Sequence, residues 1–309
     1  MIFTGLILAQ IYNPLPTNAY QTLQAIQQFE WSRYFRSLHY WTAQGVVAAI
    51  LLHTVYLFVA GTGSYPRRLI WWVGIALLAT LTMGSYFSGT VLRWDQTGSD
   101  ALHHYKEILW HLGPLGAFLS ESLQGSSPLN LRTYVSHIAL FPIILIGLFA
   151  IYFFLIRTCD LSTTHLSTMK GDCRKQPTIV ILTSVAYYGL LAILAFFVPA
   201  SLSTPPVGEM GSTKPPWPFL WVYGFENRWG MIATLYASMG LFGLLASVPL
   251  IDRGPSRGGL SRKTLLMVGA CFGITLVALS VYGSLAPPQI HGHRHVDPHE
   301  IHPQDNHRD

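Results

Sequence analysis

Six apolar stretches, each long enough to cross a lipid bilayer as a helix, dominate this sequence. They cover about residues 37–59, 69–92, 133–156, 178–200, 229–251 and 264–284. A helix needs about 20 mainly apolar residues to cross the hydrocarbon core of a membrane. Only 11% of the 309 residues are charged, whereas a soluble domain usually has about 25%. The sequence therefore predicts an all-α, polytopic membrane protein.

The first twelve residues, MIFTGLILAQIY, form a further apolar stretch that is too short to span a bilayer alone. They lack the basic residues that open a cleavable signal peptide. We interpret them as the end of a seventh helix. This helix is either short in itself or the remainder of one whose true start lies upstream.

The distribution of basic residues predicts the orientation of the spans. The loops 60–68, 157–177 and 252–263 carry ten Lys and Arg residues, whereas the opposite loops carry seven and are longer and more acidic. Because Lys and Arg are enriched in cytoplasmic loops, the first set is expected on the inner side of a cytoplasmic membrane. The polar tail 286–309 then lies on the outer side. Its repeated histidines fit either a metal-binding tract or a solvated, disordered tail.

Charge and cysteine content exclude two classes of function. The net charge of +5 comes from basic residues spread among the loops, so no nucleic-acid surface is predicted. Cys159, Cys173 and Cys271 lie far apart and form no metal-spaced cluster. The chain has no CxxCH motif, which excludes covalent haem attachment of the usual c type.

Three histidines lie in or at the ends of the apolar stretches. His39 and His53 are 14 residues apart in the stretch 37–59, which puts them on nearly the same helix face and about 21 Å apart along the axis. His137 opens the stretch 133–156. A lone histidine in a membrane helix can be a hydrogen-bonded packing residue, but ionisable groups at membrane depth are functional candidates. Neutral imidazole is a normal ligand of haem iron, and two helices can hold a porphyrin between them.

The segments around these histidines resemble cytochrome b and cytochrome b6. They are TGLILAQIYNPLPTNAYQTLQAIQ, FRSLHYW, LLHTVYLF, SGTVLRWDQ and LRTYVSHIALFP. The later stretch FVPASLSTPPVGEMGSTKPPWPFLWVYGFE resembles the separate subunit IV of the b6f complex. The resemblance covers about residues 1–285. It implies a haem-binding four-helix bundle over 1–160 with a shortened first helix, a cytoplasmic linker over 161–177, and a three-helix half over 178–285 before the tail.

The resemblance implies two b haems between two helices. His39 and His137 match the ligands of the outer haem, and His53 matches one ligand of the inner haem. Tyr152 stands where the second inner ligand belongs. Phenolate can bind ferric haem iron, so a His53–Tyr152 pair is one interpretation. A five-coordinate haem on His53 and the absence of an inner haem are the others.

Further residues match the surroundings of the haem and quinol sites of the family. Arg36 matches an arginine that contacts a haem propionate, and it can equally be an ordinary interfacial arginine. Gly89, on the third helix, would let a porphyrin or a neighbouring helix approach closely. The family has a Pro-Glu-Trp-Tyr motif that helps to bind and deprotonate quinol, but here Pro216 stands at the glutamate. Glu209 and Glu226 flank this position and are either its replacements or ordinary surface carboxylates. Arg93 stands where the family often has proline.

The resemblance implies an electron-transfer subunit that uses haem b and quinone within a bc-type respiratory complex. The expected partners are Rieske-type or c-type cytochrome subunits and membrane lipid, in a multisubunit assembly that can be dimeric. The loss of the glutamate and of the inner histidine fits an alternative, a haem b membrane anchor that links a peripheral oxidoreductase or multihaem cytochrome to the quinone pool. A transporter or structural protein that reuses the fold is a third possibility, against which the paired histidines argue.

Overall fold

A computed structural model of the chain describes residues 1–61, 68–116, 129–158, 176–207, 213–252 and 260–287. Within these residues the regular structure is helical, without strands. The helices are α1 (Ile2–Ile11), α2 (Pro16–Gln28), α3 (Glu30–Val59), α4 (Arg68–Val91), α5 (Gln96–His111), α6 (Leu129–Val135), α7 (Phe141–Thr158), α8 (Gln176–Phe197), α9 (Leu220–Trp229), α10 (Met231–Ile251) and α11 (Arg262–Leu285). The predicted linker 161–177 and tail 286–309 lie almost wholly outside this part of the chain.

Six helices of the described part are long and apolar enough to cross a membrane. They run over Glu30–Val59, Leu69–Val91, Leu131–Leu155, Thr178–Phe197, Met231–Ile251 and Arg262–Leu285. Their large apolar side chains are mostly exposed, as lipid-facing helices require. The predicted spans are confirmed, except that α3 begins seven residues earlier than the apolar pattern does. Its first two turns are amphipathic and carry Glu30 in the first turn, where a negative charge complements the helix dipole.

The two halves of the chain pack directly against each other. Helix α3 of the first half contacts α8, and α4 contacts α10. Leu57, Trp72 and Ile75 form a buried cluster on α3 and α4, against which Leu245 and Val248 of α10 pack. Residues of both halves therefore contribute to this part of the core.

Helices α9 and α11 cross with their backbones in contact. A Cβ atom at Gly224 would lie 2.3 Å from the Leu279 carbonyl oxygen, and one at Gly283 would lie 2.3 Å from the Leu220 carbonyl oxygen. Small residues permit such close crossings between membrane helices. Gly230, at a φ of +85°, then turns the chain between α9 and α10, in a conformation that favours glycine. These contacts hold the connection that precedes α9 close to the rest of the bundle.

The segment that follows α8 is hydrogen-bonded to the turn before α5. Asp95 is fully buried and accepts hydrogen bonds from the backbone N–H of Gly98 and of Ser203. The side chain of Gln96 accepts from the Val207 N–H at 2.8 Å. The backbone N–H of Gln96 donates to the Thr204 carbonyl at 2.9 Å. These bonds bring the described parts of the two long connections, predicted to lie on the same side of the membrane, together in one layer over the bundle.

Candidate cofactor site

His39 and His137 face each other inside the first half of the molecule. His39 lies on α3, and His137 lies in a π-helical turn, Ser136–Leu140, between α6 and α7. Their ring centres are 6.2 Å apart, and the ring planes are inclined by 76°. The structure thus brings together the two residues that the sequence analysis paired.

The π-helical turn that carries His137 lies directly before a proline. Pro142 has no backbone N–H and cannot donate to the carbonyl four residues earlier, so the regular α-helical bonding is interrupted here. Single π-helical turns of this kind are frequent at functional sites. The sequence therefore sets His137 on a locally widened segment of the span.

The Nδ1 atoms of the two histidines have matching surroundings. Nδ1 of His39 lies 3.2 Å from the Met1 carbonyl oxygen and 3.1 Å from Oγ1 of Thr4, which itself donates to the same carbonyl. Nδ1 of His137 lies 3.1 Å from the Ser85 carbonyl oxygen and 2.9 Å from Oγ of Ser88, which donates to that carbonyl in turn. Because a carbonyl only accepts, each Nδ1 carries the proton. Each Nε2 is left with a lone pair that can bind a metal.

A cavity of about 410 Å³ opens beside the two rings. Both histidines line it, together with residues of α1, α3, α4 and α7. Two glycines make room for the rings. A Cβ atom at Gly89 would lie 2.9 Å from Cε1 of His137, and one at Gly5 would lie 3.1 Å from Cε1 of His39. The predicted role of Gly89 in a close approach therefore has a specific neighbour, which is the imidazole of His137.

The separation of the two ring centres fits a bis-histidine haem. An iron bound to Nε2 of both rings would hold their centres about 6 Å apart, since a metal–imidazole bond is about 2 Å long and the nitrogen lies about 1 Å from the ring centre. The observed separation is 6.2 Å. The donor chemistry agrees, because two neutral imidazoles with free Nε2 atoms are suitable axial ligands.

His53 and Tyr152 also meet, but they are in direct contact. Nε2 of His53 lies 2.9 Å from the Tyr152 hydroxyl, and this hydrogen bond joins the two atoms that would bind an inner iron. Two metal bonds of about 2 Å would need a separation of about 4 Å. A cavity of about 320 Å³ nearby is lined by Tyr152 and Gly74 but not by His53. In this arrangement the inner residues do not fit a haem held between them.

Arg36 lines the cavity and is bound to the backbone of the second half. Its Nη1 donates to the Ala200 carbonyl at 2.6 Å, and its Nη2 donates to the Ser201 carbonyl at 2.9 Å. Gln27 also donates to the Ala200 carbonyl, and the Ala200 N–H donates to Oγ of Ser37. Arg36 therefore joins α3 to the segment that follows α8, at the margin of the cavity.

The two candidate acids of the quinol site occupy different positions. Pro216 lines the cavity, whereas Glu226 does not. Glu226 is buried on α9, and its Oε1 lies 3.6 Å from Nδ1 of His104 on α5. Glu209 lies outside the described residues. The structure thus separates Glu226 from the cavity and pairs it with a histidine.

Comparison with known proteins identifies the family to which this chain belongs. The family described as Cytochrome b(N-terminal)/b6/petB matches residues 44–212, which is more than half of the chain. The chain belongs to the cytochrome b/b6 family. It is therefore a multi-pass membrane protein of electron transfer, and the family implies haem b as its cofactor.

Individual relatives extend the match over both halves. The chain is 31% identical over 164 residues to cytochrome b6 of Heliobacterium mobile, which covers 52% of this chain and 76% of that protein. It is 28% identical over 283 residues to the cytochrome bc complex cytochrome b subunit of Chlorobaculum thiosulfatiphilum, which covers 82% of this chain and 64% of that protein. A chain of the solved hyperthermophilic respiratory Complex III has the same fold, with a TM-score of 0.73 at 22% identity over 93% of this chain and 80% of that one.

Sequence reasoning missed the hydroxyls that orient the histidines. Thr4 lies 35 residues before His39, and Ser88 lies 49 residues before His137. The available signal was that Ser88 precedes Gly89 directly, on a helix expected to pass close to the porphyrin. His104 was also missed as the neighbour of Glu226, because a histidine in an amphipathic helix outside the spans is unremarkable in sequence alone.

Proposed function

We propose that the chain is the cytochrome b subunit of a bc-type complex, in which a haem b held by His39 and His137 exchanges electrons with the quinone pool. The observation that carries this proposal is the pair of imidazoles with centres 6.2 Å apart beside a cavity of about 410 Å³. When bound there, the haem supplies reversible one-electron transfer.

The protein residues hold and orient the cofactor. The carbonyls of Met1 and Ser85 accept the Nδ1 protons, which leaves both Nε2 atoms free to bind a haem iron and would make the imidazoles more basic. The hydroxyls of Thr4 and Ser88 donate hydrogen bonds to these same carbonyls. Gly5 and Gly89 leave the space that the rings occupy. In this account the site is organised by α1 and α4 as much as by the helices that carry the ligands.

Quinol oxidation next to the haem needs a proton acceptor that this cavity does not supply. Among the described residues that line the cavity there is no carboxylate. The polar groups there include Gln44 and Tyr86, and Gln44 donates to the Tyr86 hydroxyl at 2.7 Å. Trp217, next to Pro216, donates to Gln44 at 2.5 Å. We assign Glu226, paired with His104, as the terminal proton acceptor, with Glu209 as the other candidate.

The inner site enters the proposal as a prediction of its own. A second haem on His53 requires the His53–Tyr152 hydrogen bond to break and the two side chains to move apart. If that haem forms, its iron is either five-coordinate on His53 or bound by His53 and Tyr152. No step of the proposed electron transfer depends on it.

The family and the charge of the loops support a proposal for the setting of the subunit. We propose a multisubunit complex in the cytoplasmic membrane, with a Rieske-type or c-type cytochrome partner and quinone, and with the tail on the outer side. The relative named as a cytochrome bc complex subunit matches across both halves of the chain. This extent favours a cytochrome b subunit with both halves over a haem-bearing membrane anchor.

The proposal is tested by adding a reduced quinol to the isolated complex and recording absorption of the b haem. The expected result is rapid reduction of the haem in the unaltered protein. A haem that is reduced by dithionite but not by any quinol would contradict the proposal. The matched variant is H111A, which changes a histidine of α5 that does not line the cavity and should leave this reduction in place.

A further inference from the structure

Arg93 is a second arginine at the cavity that holds the paired histidines. It lines this cavity together with Arg36, His39 and His137. The chain reaches it at the end of α4, where Trp94 adopts a φ of +46°, a conformation that bulky side chains rarely take. Such strained positions persist where the surrounding contacts hold them. The turn sets Arg93 at the cavity and Asp95 in the layer above it.

The guanidinium of Arg93 has a donor that nothing described in the structure uses. One Nη forms an ion pair with Asp95. Its Nε is buried and has no hydrogen-bond partner among the described residues. A buried donor without a partner is costly, and native structures rarely leave one unless a ligand or water completes it. Arg93 also lines the cavity, so its guanidinium has donor capacity left beside a space that can hold an acceptor.

The charges near this position call for an anion. Arg36 and Arg93 contribute two positive charges at the cavity. Asp95 contributes one negative charge, and it is already bound by Arg93, Gly98 and Ser203. The described lining of the cavity has no carboxylate. Arg36 directs two of its nitrogens to the Ala200 and Ser201 carbonyls, so its donors are largely committed to holding the fold.

We infer that Arg93 binds a propionate carboxylate of the haem held by His39 and His137, through its guanidinium. This inference rests on the proposed haem site. A carboxylate is the anion that the guanidinium matches best in geometry, and charge-assisted hydrogen bonds of this kind are strong. The assignment gives Arg93 a positioning role at the edge of the cofactor. It adds to the propionate contact that the resemblance implies for Arg36.

The decisive experiment measures the midpoint potential and the resonance Raman spectrum of the b haem in the whole complex. In R93Q the loss of a positive charge disfavours reduction, so the potential falls. We expect at least a tenfold change in the reduction equilibrium, which is about 59 mV for one electron. The propionate bending bands should also move. R33Q is the matched control, since Arg33 is exposed and does not line the cavity; it should change neither reading.

Two further variants separate propionate binding from a purely structural ion pair. R93K keeps the charge but replaces the planar guanidinium with an ammonium group. The propionate bands should therefore move, while the reduction equilibrium changes less than tenfold. This variant decides the matter if R93Q does not accumulate. D95N removes a negative charge and should shift the potential in the direction opposite to R93Q. If Arg93 only served Asp95, R93Q and D95N would impair the protein alike without moving the propionate bands.

The outcomes also distinguish this inference from the proposed function. Unaltered protein without a b haem, or with a haem that survives H39A and H137A, contradicts the haem site itself. A normal haem in the unaltered protein, with the same Raman bands and potential in R93Q and R93K, overturns the role of Arg93 alone. If added phospholipid shifts the potential in the unaltered protein but not in R93Q, while the propionate bands are the same in both, Arg93 binds a lipid phosphate and its role toward the propionate is overturned.

Discussion

The Tyr152 hydroxyl and Nε2 of His53 form a direct hydrogen bond of 2.9 Å, at the place where the sequence predicts the ligands of a second haem. The ring of Tyr152 packs on Gly74 much as the ring of His137 packs on Gly89, since a Cβ atom at Gly74 would lie 2.6 Å from Cδ2 of the tyrosine. Tyr152 thus occupies the position of a ligand while its hydroxyl is bound to the opposite side chain.

The first prediction concerns this inner pair. Electron paramagnetic resonance of the oxidised protein should show no second bis-histidine signal beside that of the outer haem. Y152H should introduce one, or convert an existing high-spin or unusual low-spin signal to bis-histidine character, because a second imidazole then faces His53. If an inner haem is already present, its potential should rise, since a neutral ligand replaces an anionic or absent one.

The control for the inner site is Y152F, which keeps the ring on Gly74 and removes only the hydroxyl. It should abolish a phenolate signal, if one is present, without creating a bis-histidine one. Two ordinary bis-histidine signals in the unaltered protein would contradict the prediction and would require a ligand from another subunit.

A second prediction concerns the hydroxyl beside His137. Ser88 donates to the Ser85 carbonyl and lies 2.9 Å from Nδ1 of the histidine. In S88A the imidazole loses one of its two orienting partners. Loss of such an outer partner typically lowers metal affinity by about 10- to 100-fold. The haem retained per protein after extended detergent washing measures the effect.

The matched control is S247A. Ser247 makes the same kind of bond to the carbonyl three residues earlier, on α10 and away from the cavity. Its replacement should leave the haem content unchanged. Equal haem loss in both variants, or none in S88A, would show that the hydroxyl does not orient the ligand.

The third prediction tests the space beside His137. A Cβ atom at Gly89 would lie 2.9 Å from Cε1 of the ring. The ring therefore has to move in G89A, at a strain of about 1–3 kcal/mol if the helices do not give way. We expect reduced haem content or a shifted absorption maximum. G243A is the control, because a Cβ atom at Gly243 meets nothing within 4 Å; a normal spectrum in G89A would contradict the close approach.

The contrast between the fold and the site shows what the sequence could predict. The spans were predictable because the length and hydropathy of each stretch determine whether it crosses a bilayer. The pairing of His39 with His137 was predictable because both lie near the same end of their helices. The Nδ1 contacts were not, since they depend on how α1 and α4 rotate against these helices and on side-chain rotamers. The direct His53–Tyr152 bond was hidden for the same reason: spacing brings two residues opposite each other but leaves their separation open.

The fourth prediction concerns proton release. If Glu226 accepts the proton of a quinol, E226Q should slow quinol oxidation by about 10²-fold or more, the usual scale for a lost general base. The haem spectrum should stay normal, because Glu226 lies outside the cavity. E30Q changes an exposed carboxylate at the start of α3 and should keep full turnover. Normal turnover in E226Q would exclude Glu226, and normal turnover in both E226Q and E209Q would mean that proton release uses another route.

The most direct test of the account is the optical spectrum of H39A and H137A, recorded as reduced-minus-oxidised difference spectra of the purified complex. Both histidines direct Nε2 to the same iron in this account, so either change alone should remove the same low-spin b signal. The two variants should also lose the same amount of haem per protein. A low-spin b signal that persists unchanged in either variant would contradict the shared site.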